Sequence, residues 1–138
     1  MRFSLAASLL LAVSLQAQTT LIEKGRAALD RNDPQAAIAI LETAVAQSPR
    51  DAEAHYVLGL AYGAQAQRAS VFRRASLARH TRDEFERAVR LDPNDLDARS
   101  ALAEYYRRAP AWLGGSDEKA HEQEREIRAR AKETRGSR

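Results

Sequence analysis

The sequence predicts an all-α chain in which antiparallel helix pairs stack into a short solenoid, and three observations predict it. With 44% hydrophobic and 30% charged residues in 138, the chain suits one globular domain. It is too hydrophobic for wholesale disorder and too charged for an integral membrane protein. Only 6 Gly, 4 Pro and 6% aromatics leave few turn signals and few β-formers, which argues against a sandwich or barrel. Finally, the chain repeats itself. Ala44-Val45 and Ala88-Val89 stand just before Pro49 and Pro93; ten residues after each proline comes Gly59 or Ala103, preceded by Leu58 or Leu102 and followed three on by Tyr62 or Tyr106. A repeat of this kind is the mark of stacked units that share one core.

Taken in order, the first segment reads as an address. Arg2 precedes the uncharged stretch FSLAASLLLAVSL, and QAQTT follows with small and polar residues. These are the three parts of a secretory signal. The apolar run, about 13 residues, is shorter than the ~20 needed to span a bilayer. Residues 1–17 are therefore expected to be a signal peptide cleaved after Ala17, which would lower the net charge from +3 to +2 and direct the chain to the periplasm or medium. Residues 18–134 are expected to form the helical domain and 135–138 a disordered tail.

Within that domain the sequence predicts helices at about 20–31, 34–47, 52–66, 69–91, 95–108 and 116–133. Asp33-Pro34 is an N-cap followed by proline at the first helical position. Pro49 and Pro93 cannot donate into a helix and disfavour helix in the residue before them, so each closes a helix. Small residues at Gly25, Ala44, Gly59, Ala88 and Ala103 let paired helices approach, while Leu41, Leu58, Tyr62, Phe85 and Tyr106 fill the space beside them. Pro110 ends the fifth helix, Gly114-Gly115 turns the chain, and Ser116 with Asp117 and Glu118 suits the start of the sixth.

These phrases resemble the tetratricopeptide repeat, whose pattern runs W-x2-L-G-x2-Y, A-x3-F and P. His55, Leu58, Gly59 and Tyr62 fill the first part, with His in place of Trp; Thr81, Phe85, Ala88 and Pro93 fill the second. An earlier copy carries Gly25, Ala28, Ala37, Leu41, Ala44 and Pro49, and a third begins with Leu102, Ala103 and Tyr106. The resemblance implies repeats at about 18–51, 52–94 and 95–134, and a concave face lined by the first helix of each pair that binds a peptide or helix of another protein. Carried over residue by residue, that face would hold Arg26 and Leu29, then Tyr56, Leu60 and Gly63, then Ser100, Glu104, Arg107 and Arg108.

The chain departs from the simple repeat in two places. Gly59 to Pro93 spans ten more positions than Gly25 to Pro49, and the excess falls in AQAQRASVFRRASLARH, where Val71, Phe72, Ala75, Ala78, Phe85 and Val89 mark one helical stripe. Ten helical residues add about 15 Å, so the second helix of this repeat is expected to project beyond its neighbours. Residues 65–82 carry Arg68, Arg73, Arg74, Arg79 and Arg82 and no acid, whereas 83–124 are net −5. The third repeat is interrupted by RRAPAWLGGSDEKA, a phrase similar to the last repeat of small exported bacterial proteins with about three tetratricopeptide repeats. Trp112 is expected to lie as a lid on the end of the stack, with an exposed anchor as the other reading.

The residues point away from catalysis and from any cofactor or metal. Without Cys there is no thiol nucleophile or Cys-based zinc site. His121-Glu122 opens like a zinc-protease motif, but Arg125 stands where the second His is required. Gly114-Gly115-Ser116 matches neither a nucleophile elbow nor a phosphate loop. Two functions remain. One is a non-catalytic binder of another protein through Arg26, Tyr56, Leu60, Glu104, Arg107 and Arg108; the other is an electrostatic binder of an acidic envelope polymer or nucleic acid through Arg68 to Arg82. The small net charge makes nucleic acid the weaker partner.

Overall fold

The computed structural model describes the backbone of residues 3–136 and the side chains of residues 12–136. Among them are six α-helices, one 3-10 turn and no strand: α1 Phe3–Asp30, α2 Pro34–Gln47, α3 Ala52–Arg68, α4 Val71–Leu91, α5 Leu96–Arg108, the turn Ala111–Leu113, and α6 Asp117–Gly136. The all-α expectation is met.

Local chemistry sets the boundaries. Asp33 accepts from Ala36 N, Asp51 from Ala54 N and Asp95 from Ala98 N, so each of α2, α3 and α5 starts on an aspartate cap. Asn32, in the left-handed region at φ 63°, turns α1 into α2. The first helix differs from expectation: α1 runs unbroken from Phe3, within the segment expected to be a signal peptide, to Asp30. No Gly or Pro interrupts the Ala- and Leu-rich segment before Gly25, so helix continues through it. Residues 12–17 are nevertheless all exposed, and Gln18, which donates to Ala44 O, is the first buried side chain described. At the other end, α6 continues through Gly136, inside the expected tail; residues 137–138 lie outside the described residues.

Consecutive helices pack on one another, most extensively α3 on α4, α1 on α2 and α5 on α6. The close approaches are where small residues predict them. A Cβ on Gly25 would stand 2.5 Å from the Leu41 side chain, and one on Gly59 would stand 2.5 Å from Phe85. Two apolar clusters form the core, one around Leu41, Val57 and Leu58 and the other around Phe85, Leu102 and Tyr106. Tyr56 touches both.

The sequence repeat recurs as repeated geometry. Tyr62 Oη donates to Glu42 at 2.5 Å, and Tyr106 Oη donates to Glu86 at 2.7 Å. His55 Nε2 meets Pro49 O at 2.8 Å, and Arg99 Nε donates to Pro93 O at 2.7 Å. Both His55 and Arg99 are buried, at 1% and 6% exposure, and each reaches on to the next helix: His55 Nδ1 to Glu84, Arg99 Nη1 to Gln123.

The extra length of the middle pair is divided between its helices. At 17 and 21 residues, α3 and α4 both exceed α2 and α5, at 14 and 13, so α4 does not project alone by 15 Å. The turn falls at Ala69-Ser70, two residues later than expected, because Gln67 and Arg68 extend α3. The stripe from Val71 to Val89 also fails in its first turn: Phe85 and Val89 are buried, but Val71 is 76% and Phe72 95% exposed. Among the described residues nothing packs over them. Trp112, likewise, is no lid. It is 67% exposed, and its neighbour Leu113 takes the buried place, with Leu113 O accepting from Tyr105 Oη at 2.9 Å.

The tyrosines give the fold an alkaline limit. All four hold their phenols protonated beyond the ordinary range; burial is the first cause at each, and at Tyr62 and Tyr106 the bonded carboxylates of Glu42 and Glu86 add to it. A phenol raised in the fold contributes stability that is complete below its unfolded value of about 10 and is lost as pH climbs through the native one. Basic residues here are mostly arginine, with lysine only at 24, 119 and 132, so few cations lose charge over that span. Titration above neutral pH should therefore show phenolate absorbance rising together with loss of helical circular dichroism. Tyr62→Phe and Tyr106→Phe together should move that transition to higher pH, and an unchanged midpoint would refute the assignment.

Candidate interaction surface

Between α3, α4, α5 and the Ala111–Leu113 turn lies a cavity of about 530 Å³. Its wall is largely apolar: Leu60, Gly63 and Ala64 come from α3, Ala78 and Phe85 from α4, Ala101 and Tyr105 from α5, and Pro110 and Leu113 from the turn. The opening exists because Gly63 and Ala78 are small where α3 and α4 face α5. A Cβ on Gly63 would touch only Thr81, at 3.6 Å. Three charged side chains border the apolar wall: Arg74, Glu104 and Arg108. Arg108 Nε pairs with Glu104 at 2.8 Å, but Arg108 is 78% exposed, and pairs of this kind are held weakly in water.

Of the groove residues that the repeat predicts, the structure brings Leu60, Gly63, Glu104 and Arg108 to this cavity and sends the others elsewhere. Arg26 pairs with Glu53 at 3.1 Å and lies 6.0 Å over the ring of Tyr56. Tyr56 itself braces the two cores, with its ring 6.1 Å from Phe85, so its truncation would loosen the fold as well as any surface. Leu29 packs on the first core, Ser100 donates to Leu96 O, and Arg107, outside the cavity lining, pairs with Glu124 of α6 and stands 4.0 Å from Glu104.

The five arginines of the basic segment differ in what they meet. Arg74 lines the cavity. Arg82 pairs with Asp83 at 2.8 Å and donates to Leu113 O, bracing α4 against the turn, and Asp83 raises its pKa. Arg68 reaches across to Asn32 O at 2.8 Å. Arg73 borders a second, more polar cavity of about 460 Å³ with Phe72, Tyr62 and His80, and Arg79 is exposed.

Sequence reasoning missed Arg74, Pro110 and Leu113 as parts of the cavity, and Arg99 as a structural counterpart of His55. The signal for Arg99 was present, since it follows Pro93 at the spacing by which His55 follows Pro49. Burial lowers its pKa, the nearby Arg130 charge acting in the same direction, and Glu126 and Glu122 oppose them.

Among the described residues no group of His, Asp and Glu is arranged to hold a metal ion, and no helix is long and apolar enough to cross a membrane. No protein-family model matches the chain, and no curated protein matches it.

Proposed function

We propose that the chain is a non-catalytic, exported interaction module of tetratricopeptide-repeat type, which holds a peptide or helix of another protein in the groove between α3, α4 and α5. The observation that carries this reading is the composition of that groove, an apolar wall of about 530 Å³ with arginines at its edge. Such a surface suits a segment with apolar anchors and an acidic group, because arginine can grip a carboxylate through two parallel bonds. The leader supports export, as does the onset of burial at Gln18, one residue past the expected cleavage.

The test uses displayed random peptides selected on the full chain. Enriched sequences should combine large apolar residues with a carboxylate. Leu60→Glu should weaken the selected peptides by at least about tenfold, as loss of a central interface anchor does. Arg108→Ser should mainly slow association and flatten its salt dependence. Neutralising Arg73 and Arg79, which lie outside the cavity, should change little. If that last variant alone loses binding, with affinity falling steeply in salt, the electrostatic reading replaces this one.

A further inference from the structure

The turn between α3 and α4 carries a feature that the groove does not use. Val71 and Phe72 occupy the first turn of α4 at 76% and 95% exposure, the highest values among the exposed large apolar side chains described. Arg68, Arg73, Arg74 and Arg79 flank them in the sequence, and no acid occurs between residues 65 and 82. No carboxylate pairs with any of the four among the described residues; Arg68 bonds to Asn32 and Arg74 to Ala69 O at 3.3 Å. Phe72 and Arg79, seven residues apart, fall on one face of α4, so aromatic and cation point the same way.

We propose that this tip docks on a bilayer surface bearing anionic phospholipid, with Phe72 entering the headgroup layer and the arginines facing the phosphates. Charge and shape both favour lipid. Clustered cations next to an exposed aromatic are what an anionic interface attracts, each contributing through the surface potential and the aromatic through burial. A protein partner would have to supply a pocket closing around a ring that its own chain leaves almost bare, whereas a lipid surface closes around a protruding side chain without complementary shape. The tip shares Arg74 with the groove wall, but Phe72, Arg73 and Arg79 lie outside that cavity, so docking is tested through those three independently of the groove's occupant.

The experiment places a fluorescent reporter at the tip of the full chain. Trp112 is the only tryptophan, so Phe72→Trp combined with Trp112→Phe puts the single indole at the tip. On vesicles of phosphatidylcholine with about one-third phosphatidylglycerol, its emission should shift to the blue and be quenched by brominated acyl chains, with neither effect on pure phosphatidylcholine. Arg73→Ser with Arg79→Ser, both exposed, should weaken partitioning by about tenfold or more, and Phe72→Ser in the natural chain should do likewise. An indole that stays water-exposed on anionic vesicles overturns the proposal, even if the chain binds them through its apolar leader. So does soluble polyglutamate binding as tightly as the vesicles with Phe72→Ser equal to the natural chain, which would assign the tip to an acidic macromolecule.

Discussion

Gly115→Ala is expected to destabilise the chain by more than about 3 kcal/mol, in the range reserved for backbone conflicts that no side chain can relieve. A Cβ at this position would lie 1.6 Å from Ala109 O and 2.5 Å from Ala109 C, both main-chain atoms. The turn is pinned on both sides: Gly115 N donates to Pro110 O at 3.1 Å and Ser116 N donates to Tyr106 O at 2.8 Å. Just before it, Gly114 holds φ 89°, which side chains rarely tolerate. Opening the turn would withdraw α6, which buries only Ala120 fully and is otherwise held by polar ties such as Arg99–Gln123, Arg107–Glu124 and Arg130–Asn94. Urea unfolding and amide exchange should report a weaker fold with protection lost first along α6. Gly63→Ala is the contrast: with only Thr81 in ordinary contact it should be neutral or gain up to about 1 kcal/mol from helix propensity. A Gly115→Ala chain within about 0.5 kcal/mol of the natural one would show that the turn relaxes freely.

How far such features were legible beforehand depends on the physics behind each. The helix pairs were legible because close packing restricts composition: only a small residue fits where Gly25 meets Leu41 or Gly59 meets Phe85, and a proline such as Pro49 or Pro93 permits few conformations. Caps such as Asp33 were legible for the same local reason. Periodicity, by contrast, identifies a face without saying whether anything covers it. Val71 and Phe72 continue the stripe of Phe85 and Val89, yet α4 begins beyond the reach of a covering element. The boundary expected at Ala17 has no counterpart in the backbone for a related reason: Ala and Leu favour helix on either side of it, and only burial changes there, with Gln18 the first buried side chain described.

The candidate groove divides along the same line. Leu60, Gly63, Glu104 and Arg108 stand in register with the repeat and could be placed by position. Arg74 comes from the extra residues of the middle pair, and Pro110 and Leu113 from the irregular turn, so no repeat position exists to assign them. Arg99 failed differently. Arginine is usually solvated, and composition does not reveal that its fork would find Pro93 O and Gln123 waiting in a buried position.

His55 and Arg99 should be the two polar side chains whose loss costs most, each by about 2–4 kcal/mol on truncation to alanine. Truncation at either site removes the donor but leaves its acceptors, so a proline carbonyl, Pro49 O or Pro93 O, is left unsatisfied in a part-buried place. At His55 the carboxylate of Glu84, 2.5 Å from Nδ1 and only 20% exposed, would also lose its partner. At Arg99 the same holds for Gln123, 2.7 Å from Nη1. Position in the stack then separates the two variants. His55 ties α3 to the preceding turn and to α4, in the middle of the chain, so His55→Ala should lower global stability and speed amide exchange throughout α3 and α4. Arg99 ties α5 to its turn and to the terminal α6, so Arg99→Ala should release α6 first and leave α1 to α3 protected. His55→Phe tests whether the polar bonds or the volume matters. Replacing a buried polar centre by a well-packed apolar one can be nearly neutral, but here Glu84 would be stranded, so His55→Phe with Glu84→Leu should recover more stability than His55→Phe alone. Equal stabilities for these two chains would show that Glu84 finds water once His55 is gone, and that the site is held by packing rather than by the bonds of the imidazole.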